Sequence, residues 1–100
     1  MDHRKAHELF QVACDHGVEV GCVPLGFMYQ QGDIVPKDLD RAVALLEPAC
    51  ERGKVEVCSG LGELYEKERG DPASALVYFE KACAGGYAEA CAAAQRLKAQ

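Results

Sequence analysis

Six cysteines stand at positions 14, 22, 50, 58, 83 and 91, separated by 8, 28, 8, 25 and 8 residues. Three pairs with one internal spacing are not scattered thiols. Paired thiols do two kinds of chemistry: they oxidise to a disulfide or they hold a metal. Each pair here offers two ligands and lies in a different part of the chain, which suits a four-ligand zinc site poorly. A third reading is six free thiols, packed as small apolar side chains.

The remaining reactive side chains are sparse. His3 and His7 are four residues apart, a helical spacing that places two imidazoles on one face, with His16 as a conceivable third ligand. No Glu-containing zincin motif surrounds them, so they read as solvent-exposed histidines, and neither metal nor cofactor is expected. The chain has no Thr, and its only Ser residues are Ser59 and Ser74. A serine β-lactamase would carry S-x-x-K. Three residues beyond these serines stand Gly62 and Val77. No catalytic residue is nominated.

One hundred residues make a single small domain. The formal net charge of −5 does not suit phosphate neutralisation, so nucleic acid is not an expected partner. No apolar run approaches the roughly 20 residues that cross a bilayer. The opening MDHRKAHELF carries charges where a secretory signal has its apolar segment, so no signal peptide is expected.

The elements that must position the cysteines emerge from internal repetition. Shifted by 36, Ala6, Leu9, Phe10, Ala13, Cys14, Gly17, Cys22, Leu25, Gly26 and Tyr29 fall on Ala42, Leu45, Leu46, Ala49, Cys50, Gly53, Cys58, Leu61, Gly62 and Tyr65. A further shift of 33 brings Ala42, Leu45, Leu46, Ala49, Cys50, Gly53 and Cys58 onto Ala75, Tyr78, Phe79, Ala82, Cys83, Gly86 and Cys91. Three residues are lost between Tyr65 and Asp71. Within each copy the apolar residues recur at i, i+3, i+4 and i+7, one face of an α-helix. Fifteen Ala and no Trp fit the same reading.

Gly17, Gly53 and the Gly85-Gly86 pair stand where a helix ends in the left-handed conformation. Asp71-Pro72 is a strong helix start, and Asp38 is its weaker counterpart. Six helices follow, over about 2–16, 20–31, 38–52, 55–68, 72–84 and 87–99. The predicted fold class is an all-α solenoid of about three αα-hairpins. It forms one domain, 1–100, with units of about 2–37, 38–70 and 71–100. Pro24 is expected in a first helical turn, where proline is tolerated, and Pro48 inside the third helix, bending it.

Along a straight helix, eight residues separate Cα atoms by about 12 Å, whereas a disulfide needs them within about 7 Å. Cys14 and Cys22 therefore bond only if the chain reverses between them, and Gly17 supplies the reversal. Each pair then staples the end of one helix to the start of the next, at roughly 2–3 kcal/mol per closed loop.

The string Ala13-Cys14, Gly17, Gly21-Cys22, Leu25-Gly26, Tyr29, followed by Gly32, Asp38 and Ala42, resembles the Sel-like repeat, in the cysteine-rich branch named for the Helicobacter cysteine-rich proteins. The resemblance implies a tetratricopeptide-like superhelix and an adaptor or scaffold role. Some members of that branch have been called penicillin-binding proteins or β-lactamases, which is the alternative function, and one is a mitochondrial intermembrane-space assembly factor. The last helix departs from the motif, with Ala94, Gln95 and Lys98 in place of Leu, Gly and Tyr, and so is expected to be a polar terminal cap. The first helix is expected to be the second half of a hairpin. Its Leu9, Phe10 and Val12 flank would be covered by an upstream helix or by self-association.

In such a solenoid the first helix of each hairpin lines the concave side. The positions there that point away from the packing stripe are Val23, Phe27 and Gln30, then Ser59, Glu63 and Glu66, then Ala92 and Arg96. This row is the candidate surface for a protein or peptide partner, with Val23 and Phe27 as apolar contacts and Glu63 and Glu66 favouring a basic residue. Paired cysteines imply an oxidising compartment (periplasm, exterior or mitochondrial intermembrane space), and free ones the cytoplasm.

Overall fold

The computed structural model describes residues 3–17 and 19–100, with the side chains at 3, 4, 19 and 20 outside the description. Among these residues there are six α-helices and no strand: α1 (His3–Asp15), α2 (Glu19–Gln31), α3 (Leu39–Glu51), α4 (Val55–Glu63), α5 (Pro72–Ala84) and α6 (Ala88–Lys98). A π-helical turn, Leu64–Glu68, continues α4. The all-α hairpin-repeat reading holds. Pro24 is corrected: α2 starts at Glu19, so this proline sits in the second turn. α3 runs from Leu39 to Glu51 with Pro48 in its interior.

The chain divides into two compact units, 1–49 and 50–100, with the division inside α3. The core of the first is built from Ala6, Leu25, Ala42, Leu46 and Ala49. In the second, Leu61, Leu64, Ala75, Phe79, Ala82, Ala90, Ala94 and Leu97 are buried, with Val57 and the Cys50 and Cys58 side chains. Ala6, Ala42, Leu46, Ala49, Ala75, Phe79 and Ala82 are positions of the i, i+3, i+4, i+7 stripes, whereas Val57, Leu64, Ala90, Ala94 and Leu97 lie outside them and Leu9 of the first stripe is 64% exposed.

One residue type sets how closely the helices approach. In the first unit a Cβ placed at Gly26 would lie 2.7 Å from Cγ of Leu46. In the second, a Cβ at Gly62 would lie 2.8 Å from the ring of Phe79. The Gly of the Leu-Gly-x-x-Tyr string is thus a notch that receives a large apolar side chain of the next helix, Leu46 or Phe79, each at most 2% exposed. In α6 the matching position is Gln95, and it is exposed.

Helix starts are of two kinds. Asp38 caps α3 by accepting from the Arg41 backbone N–H at 3.0 Å. Asp71 caps α5 by accepting from the Ser74 backbone N–H at 3.1 Å and from the Ser74 hydroxyl at 2.7 Å. These side chains satisfy donors that the first turn leaves without partners. Lys54 before α4 and Tyr87 before α6 make no such side-chain cap. Both of those helices are instead tied near their starts through a cysteine.

Candidate functional site

The chain reverses three times in the same manner. Gly17, Gly53 and Gly86 adopt φ of 79°, 98° and 95°, a left-handed backbone that only glycine enters without strain. Each donates its N–H to the carbonyl of the cysteine three residues earlier: Gly17 to Cys14 at 2.9 Å, Gly53 to Cys50 at 3.0 Å, Gly86 to Cys83 at 2.9 Å. This is a helix-closing turn. It turns the chain back so that Cα atoms eight residues apart lie 4.6 Å (Cys14–Cys22), 4.7 Å (Cys50–Cys58) and 4.6 Å (Cys83–Cys91) from each other. All six sulfurs stand at disulfide distance in these three local pairs. The third reversal also explains its extra glycine, because a Cβ at Gly85 would run into Val55.

The residues of the candidate surface row differ in exposure. On α2, Val23, Phe27 and Gln30 are half-buried and share one face. On the second unit, Glu63, Ala92 and Arg96 are exposed. Ser59 is not on the surface: it is 7% exposed, because α4 is buried over a wide arc running from Val57 through Ser59 to Leu61 and Gly62.

Glu66 is also engaged. Arg96 grips it with two hydrogen bonds, Nη1 to Oε2 at 2.5 Å and Nη2 to Oε1 at 2.9 Å. The hydrogen bond from Arg96 holds the Glu66 carboxyl below the usual carboxylate range, and the same pairing raises Arg96. A two-pronged guanidinium–carboxylate pair fixes both planes. Glu66 therefore joins α4's end to α6 rather than standing open to a basic ligand, and Glu63 is the carboxylate left on that surface.

Two stacks escaped the sequence reading. In the first unit the Arg41 guanidinium lies 4.8 Å from the Tyr29 ring centre, and His7 meets the same ring edge-on at 6.1 Å. In the second, Arg69 lies over Tyr65 at 5.6 Å, Tyr65 stacks on Tyr78 at 5.4 Å and 10°, and Lys81 covers Tyr78 at 5.4 Å. The arginines stand 12 and 4 residues beyond their tyrosines, so no common spacing signals them. His7 Nε2 is buried without a hydrogen-bond partner. The pairing of His7 with His3 lies outside the described side chains, and no group of three metal-ligating residues occurs among the described residues. No helix among them is long and apolar enough to cross a membrane.

Helical hairpins locked by glycine notches, each reversal carrying a cysteine pair, define a stapled helical-hairpin repeat scaffold. The Sel1 repeat model matches residues 2–18, 22–54 and 55–87, and the chain belongs to the Sel1 repeat family. It is 32% identical over 66 residues, 65% of its length, to cytochrome c oxidase assembly factor 7 of Xenopus tropicalis, of which the match spans 29%. A crystal structure of a Sel1 repeat protein from Oxalobacter formigenes superposes with a TM-score of 0.66 at 28% identity, covering 89% of this chain and 38% of that one. The chain thus spans about a third of the length of these relatives.

Proposed function

We propose that the chain is a disulfide-stapled scaffold that holds a protein or peptide segment on its helix surfaces. The observation that carries this is Phe27. It stays half-exposed beside Val23 on α2, while Leu25 and Gly26 of the same helix are buried. A large aromatic side chain left partly in water on a rigid helix is the kind of anchor on which binding energy concentrates. Sel1 repeats generally mediate protein interactions, which supports the same reading. The Xenopus relative is named as an assembly factor, and holding parts together is the activity a scaffold of this kind would lend to assembly. On the second unit, considered by itself, Glu63 is an exposed carboxylate that would favour a ligand with a basic residue.

A displayed peptide library selected against the oxidised protein tests the proposal. Selected peptides should bind Phe27→Ala about tenfold or more weakly, which corresponds to about 1.4 kcal/mol. Glu63→Ala should weaken the basic ones in a salt-sensitive way. Affinities unchanged in both variants would overturn the proposal.

A further inference from the structure

From α3 to α6 the helix starts are closed by two devices that alternate. Asp38 and Asp71 accept from the backbone N–H of the third helical residue, Arg41 in α3 and Ser74 in α5. In α4 and α6 the third-residue N–H has no such side-chain partner. Val57 donates instead to the Lys54 carbonyl and Ala90 to the Tyr87 carbonyl, each at 3.0 Å. The fourth helical residue completes the alternation. It is Ala42 in α3 and Ala75 in α5, but Cys58 in α4 and Cys91 in α6. Those two cysteines are bonded to Cys50 and Cys83, near the ends of the preceding helices.

A helix start without a side-chain cap leaves its first donors poorly served and frays more readily. The backbone is not what prevents a cap before α4. Lys54, with φ −79° and ψ 88°, lies in the same extended region as Asp71, with φ −118° and ψ 83°. Position 54 thus has the conformation of a capping residue without its side chain, and the covalent tie one turn later holds the helix start in its place.

We infer that the cysteine pairs serve α4 and α6 as redox-sensitive caps, so that a dithiol which opens them frees the starts of these two helices and leaves α3 and α5 closed. Each opening consumes one dithiol. Its two thiols give two electrons and two protons to the S–S bond, which becomes two cysteine thiols, and the dithiol closes to a cyclic disulfide. Burial grades the response. Cys83 and Cys91 are half-buried, whereas Cys50 and Cys58 are 4% and 2% exposed, so α6 responds to less reductant than α4. α4 carries Glu63, and α6 carries Ala92 and Arg96. The helices that reduction loosens are therefore those bearing the second unit's part of the candidate surface. Resting on the reading of that surface as a ligand surface, its binding depends on redox state.

Hydrogen exchange of the full-length chain, followed amide by amide, tests this. The oxidised parent is compared with a Cys83→Ala, Cys91→Ala variant and with the parent in graded dithiothreitol, its opened pairs identified by alkylation. Where the third pair is absent or open, the Ala90 amide should exchange about tenfold or more faster, while the Arg41 and Ser74 amides keep their rates. An unchanged Ala90 amide would overturn the inference. Equal acceleration at Ser74 would do so too, since the staples would then hold the fold as a whole rather than two helix starts. In a Cys50→Ala, Cys58→Ala variant the Val57 amide should lose protection in the same way. Adding Lys54→Asp, at an exposed position, should restore it, and a folded variant without that rescue would show that the staple does not act as a cap. Peptides selected through Glu63 should bind the reduced protein about threefold or more weakly, and unchanged affinity would remove the redox dependence of the surface. If no selected peptide depends on Glu63, the ligand surface itself fails, and the exchange pattern still decides the caps.

Discussion

After Tyr29 and after Tyr65 the chain performs one task with different lengths of backbone. In the first unit the Asp38 N–H donates to the Tyr29 carbonyl at 3.0 Å across nine residues. In the second the Asp71 N–H donates to the Tyr65 carbonyl at 2.8 Å across six. The tyrosine carbonyl and the capping aspartate are kept, and the path between them is not. The longer segment closes α2 at Gly32, which takes φ 74°, and then forms a loop. The shorter one winds into a π-turn, with the Arg69 N–H reaching back five residues to the Leu64 carbonyl at 3.2 Å. A wider turn accommodates the lost residues without moving its anchors. What the repeat preserves is a set of anchor points: a notch, a tyrosine carbonyl, a cap and a staple.

The staples should give the largest effect. At roughly 2–3 kcal/mol each, three of them approach the whole stability of a small domain. Full reduction should lower the melting temperature by well over ten degrees or unfold the protein, as read by circular dichroism. The three staples should differ on partial reduction. Cys50 and Cys58 are 4% and 2% exposed, whereas the other four cysteines are half-buried. Differential alkylation should find Cys14–Cys22 and Cys83–Cys91 opened first. Prior opening of Cys50–Cys58 would show that burial does not rank them.

Next come the notches. Phe79→Ala should cost about 3–5 kcal/mol, by emptying the centre of the second unit. Leu46→Ala should cost about 2–5 kcal/mol in the first. Gly62→Ala and Gly26→Ala overpack the same contacts, at about 1–3 kcal/mol. Gly62→Ala should be the worse of the two, because a flat ring at 2.8 Å yields less readily than the branched end of Leu46. Chemical denaturation gives the order directly, and equal costs would mean that the two notches relax alike.

The legible part of this molecule was the part that repeats. Helix bounds, the buried stripe, the three left-handed glycines and the cysteine pairs all recur at fixed shifts, so one copy checks another. What stayed hidden depends on one copy alone. The loss of three residues before Asp71 was visible in the alignment of the copies, but its structural form, a π-turn, follows from backbone geometry that no side-chain pattern encodes. Ser59 looked like a surface residue because its helix was assigned one buried stripe, whereas α4 is enclosed over a wider arc. Glu66 and Arg96 were placed on one row without their mutual grip, since 30 residues separate them and no motif links them. Asp38 and Asp71 were both read as helix starts, and the hydroxyl bond that distinguishes them was not.

A smaller effect tests the anchor-point idea itself. Inserting three residues between Arg69 and Asp71 should turn the second unit's connection into the first unit's kind. Loop-closure entropy predicts a cost of only roughly 0.5 kcal/mol. The insertion should remove the protection of the Arg69 amide against hydrogen exchange while that of Asp71, bonded to the Tyr65 carbonyl, persists. Loss of both would mean that the π-turn is itself an anchor.

The smallest effect separates the two caps. Asp71 accepts from both the hydroxyl and the backbone N–H of Ser74, and these bonds hold its carboxyl below the usual carboxylate range. A group whose pKa is lowered on folding stabilises the fold above its unfolded pKa. That contribution is lost as the pH falls through the lower folded value. Ser74→Ala removes the hydroxyl donor and leaves the backbone one, so it narrows the gap between folded and unfolded pKa. The variant should therefore be less stable than the parent at about pH 7, and the difference should shrink as the pH is lowered to about 2 and Asp71 takes up its proton. Asp38 is capped through the Arg41 backbone N–H and stands opposite no serine, since the residue at its third position is Arg41 itself. Arg41→Ala keeps that donor, so any destabilisation it causes comes from the Tyr29 and Gln11 contacts of the guanidinium and should not shrink in this way. Denaturation midpoints of the two variants at both pH values make the measurement. A Ser74→Ala deficit that is the same at both would place the hydroxyl's contribution in packing rather than in the charge of Asp71.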